Sequence, residues 1–350
     1  MALVLVTGAF GLVGKQTIEQ LSRLGHDVVA SDLRTPENER AARRLCGGVT
    51  VRWADLTDPD QVDRLVEDSA PSAIVHLAAV IPPVCYERAD LARRVNIGAT
   101  EALVAAAERL PSPPRFIQAS SVAVYGSRNP HRAGVLTVES PVKPVDSYGS
   151  MKLAAEKIVQ ESSLPWLVLR LGAVVSSNLR SLPLNADTLF LEWALPVDGR
   201  ITTVDVRDVA TAFATAATAE ETGEILLIGG DDSHRRLQGE MGPALVAAMG
   251  LAGVYPEGRP GNPDDDFGWF VCDWMDTRRA QEVLGFQNHS WPQVLEEIRG
   301  SVGGWRYLLA AVAPIARKVL ARRTPYRDSA PGYADPWSLF RARWPGATPD

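Results

Sequence analysis

A glycine-rich turn close to residue 1 places the strongest constraint on the fold of this chain. The apolar, β-branched run Ala2–Gly8 ends in glycine, and Gly8, Gly11 and Gly14 form G-x-x-G-x-x-G as a helical pattern begins. Glycine at such a turn lets a pyrophosphate approach the backbone, and the helix N-terminus supplies unpaired N–H groups and a partial positive charge. The sequence therefore predicts a strand–turn–helix unit that binds a pyrophosphate.

The first 230 residues alternate between short apolar runs and helical patterns, the clearest of which is Glu87–Leu110. Continuous apolar strands that alternate with helices indicate an α/β fold, with a parallel sheet covered on both faces. The predicted strands are Ala2–Gly8, His26–Asp32, Val49–Asp55, Ser72–Ala79, Arg115–Ser121, Trp166–Gly172 and a returning strand at Glu224–Gly230.

Asp32 ends the second predicted strand, 24 residues after Gly8. A carboxylate at that position can bind the ribose hydroxyls of an adenosine, and it repels a 2′-phosphate. The sequence therefore predicts NAD as the cofactor. Arg34, two residues later, leaves NADP as the alternative.

The composition excludes several other classes of protein. A net charge of −6 over 350 residues argues against nucleic acid as a partner, because phosphate neutralisation needs a basic surface. Three separated cysteines (Cys46, Cys85, Cys272) and five scattered histidines give no disulfide framework and no metal site. No signal peptide or apolar run of about 18–20 residues is found, so a cytoplasmic protein is expected.

The segment Pro141–Lys157 carries a tyrosine and a lysine four residues apart, Tyr148 and Lys152. Residues at this spacing share one face of a helix. Taken alone, an ordinary surface helix would also explain the pair.

Seven segments then occur in the order that is typical of one enzyme family, the extended short-chain dehydrogenase/reductases of NAD-dependent epimerase/dehydratase type. The chain resembles this family over roughly Leu3–Gly230. The segments are TGAFGLVG (Thr7–Gly14), DLTD (Asp55–Asp58), HLAA (His76–Ala79), Asn96 in RRVNIGAT, SSVAVYG (Ser120–Gly126), YGSMK (Tyr148–Lys152) and VDVRDVA (Val204–Ala210).

The resemblance implies a catalytic set of Ser121, Tyr148 and Lys152. Tyr148 would exchange a proton with a substrate alcohol or ketone, because a nearby ammonium and the nicotinamide ring lower a phenol pKa that is ordinarily about 10. Ser121 would hydrogen-bond the reacting oxygen, and Lys152 would hold ribose hydroxyls. Ser120 and His76 are interpreted as structural.

The resemblance also implies the residues that contact the cofactor. Asn96 among them is interpreted first as a residue that distorts its helix or holds water. The set is Gly8, Phe10, Gly11, Leu12, Val13, Gly14, Asp32, Leu33, Asp55, Leu56, Leu77, Ala78, Ala79, Asn96, Tyr148, Lys152, Gly172 and Val174.

The expected organisation is a doubly wound parallel Rossmann sheet with a smaller C-terminal lobe. Residues 1–175 form the NAD-binding domain, whose sheet is completed by about 200–230. Residues 176–199 and 231–302 form the substrate-binding lobe, and 303–350 form a C-terminal helix and a Pro-rich arm. A homodimer is expected.

The reaction type is predicted from departures from the family pattern. Val122 and Ala123 stand where dehydratases carry an acid pair, Arg170–Ser181 lacks an Asn-Gly-Pro segment, and Arg200 is displaced from the place of a diphosphate-binding arginine. These departures favour a dehydrogenase or ketoreductase acting on an apolar or ring-shaped ketone or alcohol. A nucleotide-sugar epimerase is the alternative, and a non-catalytic NAD-binding scaffold is a further one.

Two features of the C-terminal third bear on partners. Six of the nine tryptophans follow residue 260, and they form either an aromatic wall for the substrate or simple packing. The apolar stretch Trp305–Arg323 is interrupted by Pro314 and ends in basic residues. Packing on the body or on a partner subunit is favoured for it, with contact to an anionic membrane surface as the alternative. The stretch Thr324–Trp337 reads as an extended arm.

Overall fold

Ten strands are found in the computed structural model, which describes residues 1–45, 47–181, 185–327 and 332–348 and therefore leaves Cys46 outside. The strands are β1 (Leu3–Thr7), β2 (Asp27–Asp32), β3 (Val49–Trp53), β4 (Ala73–His76), β5 (Arg115–Ser121), β6 (Trp166–Leu171), β7 (Ala173–Val175), β8 (Arg200–Asp205), β9 (Glu224–Ile228) and β10 (Arg235–Leu237). Seven of them form a parallel sheet in the order β3-β2-β1-β4-β5-β6-β9. The doubly wound α/β prediction is confirmed, and all seven predicted strands are present.

Helices cover both faces of this sheet. Successive residues of a strand therefore point into two different buried clusters, one on each face. Val4 and Val6 of β1 belong to one buried cluster and Leu5 to another. The helices are α1 (Leu12–Arg23), α2 (Pro36–Ala42), α3 (Pro59–Ser69), α4 (Val84–Glu87), α5 (Ala89–Arg93), α6 (Ala99–Glu108), α7 (Ser147–Glu161), α8 (Ala186–Ala194), α9 (Val206–Ala216), α10 (Gln238–Ala248), α11 (Arg278–Leu284), α12 (Trp291–Val302), α13 (Trp305–Ala321) and α14 (Pro336–Arg343).

The helical stretch predicted at Glu87–Leu110 is found as α5 and α6, with a distortion around Asn96. A π-helical turn at Arg94–Gly98 separates α5 from α6. The buried Asn96 lies in this turn, where its amide accepts from the Val80 N–H (2.8 Å) and donates to the Val80 carbonyl (2.9 Å). The widened turn thus places a polar side chain against the loop that follows β4.

A second sheet and the C-terminal segment complete the molecule. Strand β8 pairs in parallel with β7 and antiparallel with β10. The segment 332–348 packs on the body through buried aromatic side chains of α14, Trp337 and Phe340.

Helix α13 differs from that segment, because none of its residues is buried. Its contact with the body is limited to a half-buried stripe that includes Leu309 and Leu320, and packing on a partner subunit stays a prediction. No helix within the described ranges is long and apolar enough to cross a bilayer.

Candidate functional site

The glycine turn after β1, residues 8–14, leaves a space along the backbone that a side chain would fill. We call this space the glycine cradle. Gly8 has φ +67°, and a Cβ added there would lie 2.7 Å from the Ala78 nitrogen. A Cβ on Gly14 would lie 2.2 Å from the Gly8 carbonyl oxygen. No side chain caps α1 at Gly11, and its first turn holds no acidic residue. The backbone therefore leaves the start of α1 open to an anion, which fits a cofactor pyrophosphate.

Asp32 lies directly beside this cradle. Its carboxylate accepts from the backbone N–H groups of Phe10 (2.9 Å) and Leu33 (2.8 Å). Arg34 instead donates to Glu39 at 2.7 Å. The Asp32 carboxylate therefore lies next to the glycine turn, while Arg34 is paired with Glu39, and this arrangement favours NAD over NADP.

We expect the protein to bind NAD more tightly than NADP, and Asp32→Ser to weaken NAD binding roughly tenfold or more, since a hydrogen bond to a charged group contributes about 1.5–3 kcal/mol. Dissociation constants for both cofactors measure this. Arg34→Gln is the matched control and should leave the ratio unchanged because Arg34 pairs with Glu39. Equal or tighter binding of NADP by the unaltered protein would show that Arg34 governs the pocket.

The other predicted cofactor residues lie at or just beyond the carboxyl ends of the strands. This is the end of a parallel sheet at which cofactors bind. Leu77, Ala78 and Ala79 follow β4, and Asn96 braces the next residue, Val80. The remaining residues are Asp55 and Leu56 after β3, Gly172 after β6 and Val174 within β7. Asp55 accepts from the backbone and side chain of Thr57 (2.9 and 2.7 Å), and Asp58 caps α3.

The three predicted catalytic residues are brought together at the end of β5 and the start of α7. The Ser121 side chain is close enough to the Tyr148 phenol to act on its pKa. Lys152 lies one turn later in α7, with its Nζ 5.9 Å from the centre of the Tyr148 ring. That Nζ donates to the Ala119 carbonyl at 2.9 Å and is buried. A hydroxyl, a phenol and an ammonium therefore share one site.

The pKa of Tyr148 is raised above its ordinary value, contrary to the sequence-based expectation. Burial is the main cause, followed by the nearby groups of Cys85 and Asp146, while Ser121 acts in the opposite direction. Burial also lowers the pKa of Lys152 to about 8. The chain alone therefore holds Tyr148 as a neutral phenol, the form that can donate a proton.

Asp146 is a buried acid two residues before Tyr148, and it is not among the site residues predicted from the sequence. Asp146 caps α7 by accepting from the Gly149 N–H (3.0 Å), and Tyr86 donates to its other oxygen at 2.5 Å. Burial raises the pKa of Asp146 to about 6. An aspartate just before a helical pattern is an N-cap signal, so the cap was open to prediction, whereas the Tyr86 contact was not.

Ser120 points away from Ser121 into a buried polar network. Ser120 and Arg170 both bind Glu156, with 2.6 Å between Arg170 Nη2 and Glu156 Oε2. Arg170 also donates to the Tyr125 hydroxyl at 2.6 Å. This network ties β5 and β6 to α7, which carries the predicted catalytic residues.

The C-terminal segment reaches the same helix. Ser147 donates to the Gly346 carbonyl (2.6 Å), and Trp337 donates to the Ser127 hydroxyl (3.1 Å) just after the SSVAVYG segment. The ring centres of Trp344 and Tyr86 lie 6.1 Å apart. Part of the predicted arm, residues 328–331, lies outside the described residues.

Arg200, which is displaced in the sequence from the place of a diphosphate-binding arginine, and the nearby Arg128 both have partners in the structure. Arg200 donates to the carbonyls of Pro130 (2.5 Å) and Ala133 (3.1 Å) and lies 4.9 Å over the Trp274 ring. Arg128 pairs with the buried Asp273 at 2.9 Å. Both guanidiniums therefore already have hydrogen-bonding partners within the chain.

Curated proteins with partial similarity include two with named functions. The chain is 32% identical over 171 residues to the D-erythronate dehydrogenase of Cupriavidus necator, covering 46% of this chain and 50% of that protein. It is 31% identical over 169 residues to the methionine adenosyltransferase 2 subunit beta of Rattus norvegicus, covering 48% and 46%. The chain therefore spans about half the length of these relatives.

Solved structures agree with the fold over most of the chain. The UDP-glucose 4-epimerase of Thermus thermophilus in complex with NAD has a TM-score of 0.68 at 25% identity and covers 86% of this chain and 99% of its own. The UDP-glucuronic acid 4-epimerase of Bacillus cereus, in complex with UDP-glucuronic acid and NAD, has a TM-score of 0.67 at 20% identity and covers 86% and 98%.

A protein-family model gives the assignment. Residues 4–229 match the model of the NAD dependent epimerase/dehydratase family, which is well over half of the chain. The match confirms both the predicted family and, since the family is described as NAD dependent, the predicted cofactor. The chain belongs to the NAD dependent epimerase/dehydratase family.

Proposed function

We propose that this protein is an NAD(H)-dependent oxidoreductase that interconverts a secondary alcohol and a ketone, with Tyr148 as the acid/base. The observation that carries the proposal is the meeting of Ser121, Tyr148 and Lys152 at the carboxyl end of the same parallel sheet whose first strand leads into the glycine turn. The proposed domains are 1–175 for the cofactor, and 176–199 with 231–302 for the substrate. Residues 182–184 lie outside the described ranges.

Each side chain has one proposed role. NAD supplies the acceptor and donor of hydride when it is bound. Tyr148, neutral in the chain alone, donates its proton to a ketone oxygen in reduction and recovers it in oxidation. Ser121 hydrogen-bonds the same oxygen and fixes its direction. Lys152, held by the Ala119 carbonyl, is placed to bind ribose hydroxyls.

The engaged arginines favour a dehydrogenase over a nucleotide-sugar epimerase. A sugar diphosphate needs cationic partners, because charge-assisted hydrogen bonds are what hold phosphate groups. Arg200 and Arg128 are occupied by carbonyls and by Asp273. The similarity to a D-erythronate dehydrogenase supports the same choice, while the solved epimerases support the alternative.

Tyr148 packs at the edge of a buried cluster that includes Tyr86, Phe340 and Trp344. These aromatic side chains give Tyr148 apolar surroundings, which supports an apolar or ring-shaped group on the ketone or alcohol as the proposed substrate class. A cytoplasmic homodimer remains part of the proposal; the family resemblance supports it, and the free Cys85 and Cys272 fit a reducing compartment.

The test compares cofactor content with turnover. A dehydrogenase must release its cofactor, so the purified protein should be largely free of NAD and should change the absorbance of added NADH with a panel of ketones and hydroxy acids. Stoichiometric bound NAD, with sugar-nucleotide interconversion and no net change in NADH, would establish the epimerase instead. Binding of NAD without turnover on either panel would establish a scaffold.

A further inference from the structure

Helix α13 presents a row of large apolar side chains to solvent. Trp305, Leu308, Val312, Ile315 and Val319 follow one another at spacings of three and four, and they are 46% to 72% exposed. Residues at these spacings share one helix face. Single exposed apolar side chains are ordinary, but a continuous stripe along a helix of 17 residues is not.

The helix is attached to the body on a different side. Leu309, Ala316 and Leu320, which are half-buried, form a neighbouring stripe. At the start of the helix, Arg306 lies against Gly250, where an added Cβ would be 2.5 Å from the Arg306 carbonyl oxygen. The exposed stripe is therefore held facing outward by a helix that is docked.

The charge of this segment is opposite to that of the rest of the chain. Residues 303–323 contain no aspartate or glutamate and five cations, Arg306, Arg317, Lys318, Arg322 and Arg323. With a net charge of −6 for the whole chain, the remainder carries −6 − 5 = −11. A basic, apolar helix thus stands on an acidic protein.

We propose that α13 binds the surface of an anionic lipid bilayer, lying in the plane of the headgroups with Trp305, Leu308 and Ile315 facing the acyl chains. Interfacial helices combine an apolar face bearing Trp and Leu with a basic polar face. Cations near an anionic leaflet add to the affinity of such helices. Helix α13 is too short and too polar to span the bilayer.

A second copy of the chain fits this stripe less well. A helix of this length is about 25 Å long and its apolar stripe about 10 Å wide, so one copy would bury roughly 250 Å², against about 800 Å² per partner in a typical stable interface. Pairing would also bring two acid-free basic segments together. An anionic lipid surface supplies the missing negative charge.

The experiment uses the full chain and sedimentation with phosphatidylcholine vesicles, with and without phosphatidylserine. The protein should bind the anionic vesicles and not the neutral ones, and added salt should weaken the binding. Leu308→Ser/Ile315→Ser and Arg317→Gln/Lys318→Gln should each lower the vesicle partition roughly tenfold or more. Folding should survive, because none of these residues is buried.

Two variants with substitutions outside α13 serve as matched controls. Arg64→Gln/Lys157→Gln removes two exposed cations elsewhere, and Leu24→Ser removes an exposed leucine, so both variants should bind vesicles normally. Equal binding to neutral vesicles, or an equal loss in the controls, would overturn the proposal. Light scattering tests whether the protein is a dimer. If it is, if Leu308→Ser/Ile315→Ser dissociates it and if the protein does not bind vesicles, the stripe contacts a second copy of the chain instead. NAD binding should be unchanged throughout.

Discussion

Tyr148→Phe should lower kcat roughly 100- to 10,000-fold, the usual contribution of a positioned acid/base group, while NAD binding stays nearly unchanged. The substitution removes only the phenol hydroxyl, whose pKa is influenced by the nearby Ser121. The ring stays in its place at the edge of the aromatic cluster. Steady-state turnover and the NAD dissociation constant, measured on the same preparation, test this expectation.

Two further variants distinguish the role of Tyr148 from that of Lys152. Lys152→Ala should impair both turnover and NAD binding, because we propose that its Nζ binds the cofactor ribose and it also lies over the Tyr148 ring. Tyr333→Phe, which alters an exposed tyrosine, should change neither. Turnover by Tyr148→Phe at a rate close to that of the unaltered protein would mean that the proton comes from another group.

Arg170→Gln should destabilise the protein by about 3–5 kcal/mol, the range found when one partner of a buried ion pair is removed. Arg170 and Glu156 are both buried and lie 2.6 Å apart. Without the guanidinium, the buried Glu156 carboxylate would keep the Ser120 hydroxyl as a donor and would remain out of water. Urea unfolding followed by circular dichroism gives the free energy of unfolding.

Arg279→Gln is the matched control for this variant. Arg279 pairs with Glu224 at 2.7 Å on the surface, so its loss should change the free energy of unfolding little. Arg170→Met/Glu156→Leu removes both charges and should recover much of the stability lost by Arg170→Gln. If Arg170→Gln unfolds at the same urea concentration as Arg279→Gln, the buried pair does not hold β5 and β6 to α7.

The predicted fold and cofactor followed from short-range patterns. The strand–turn–helix around Gly8, the alternation of apolar runs with helices, and the one-turn spacing of Tyr148 and Lys152 each depend on the geometry of neighbouring residues. Asp32 could be predicted as a cofactor residue because a residue that ends a parallel strand lies at the carboxyl end of the sheet. These are features that a backbone imposes within about one strand–turn–helix unit.

The tertiary structure decided what depends on burial and on contacts between distant segments. The Ser147–Gly346 hydrogen bond joins residues 199 positions apart, and no local pattern predicts it. The raised pKa of Tyr148 results from burial, which spacing alone does not reveal. Helix α13 reads from its sequence like any amphipathic helix, and only the packing of the body shows which stripe stays exposed. Local geometry is set by the residues in sequence, whereas exposure and long-range contact are set by how the complete chain packs.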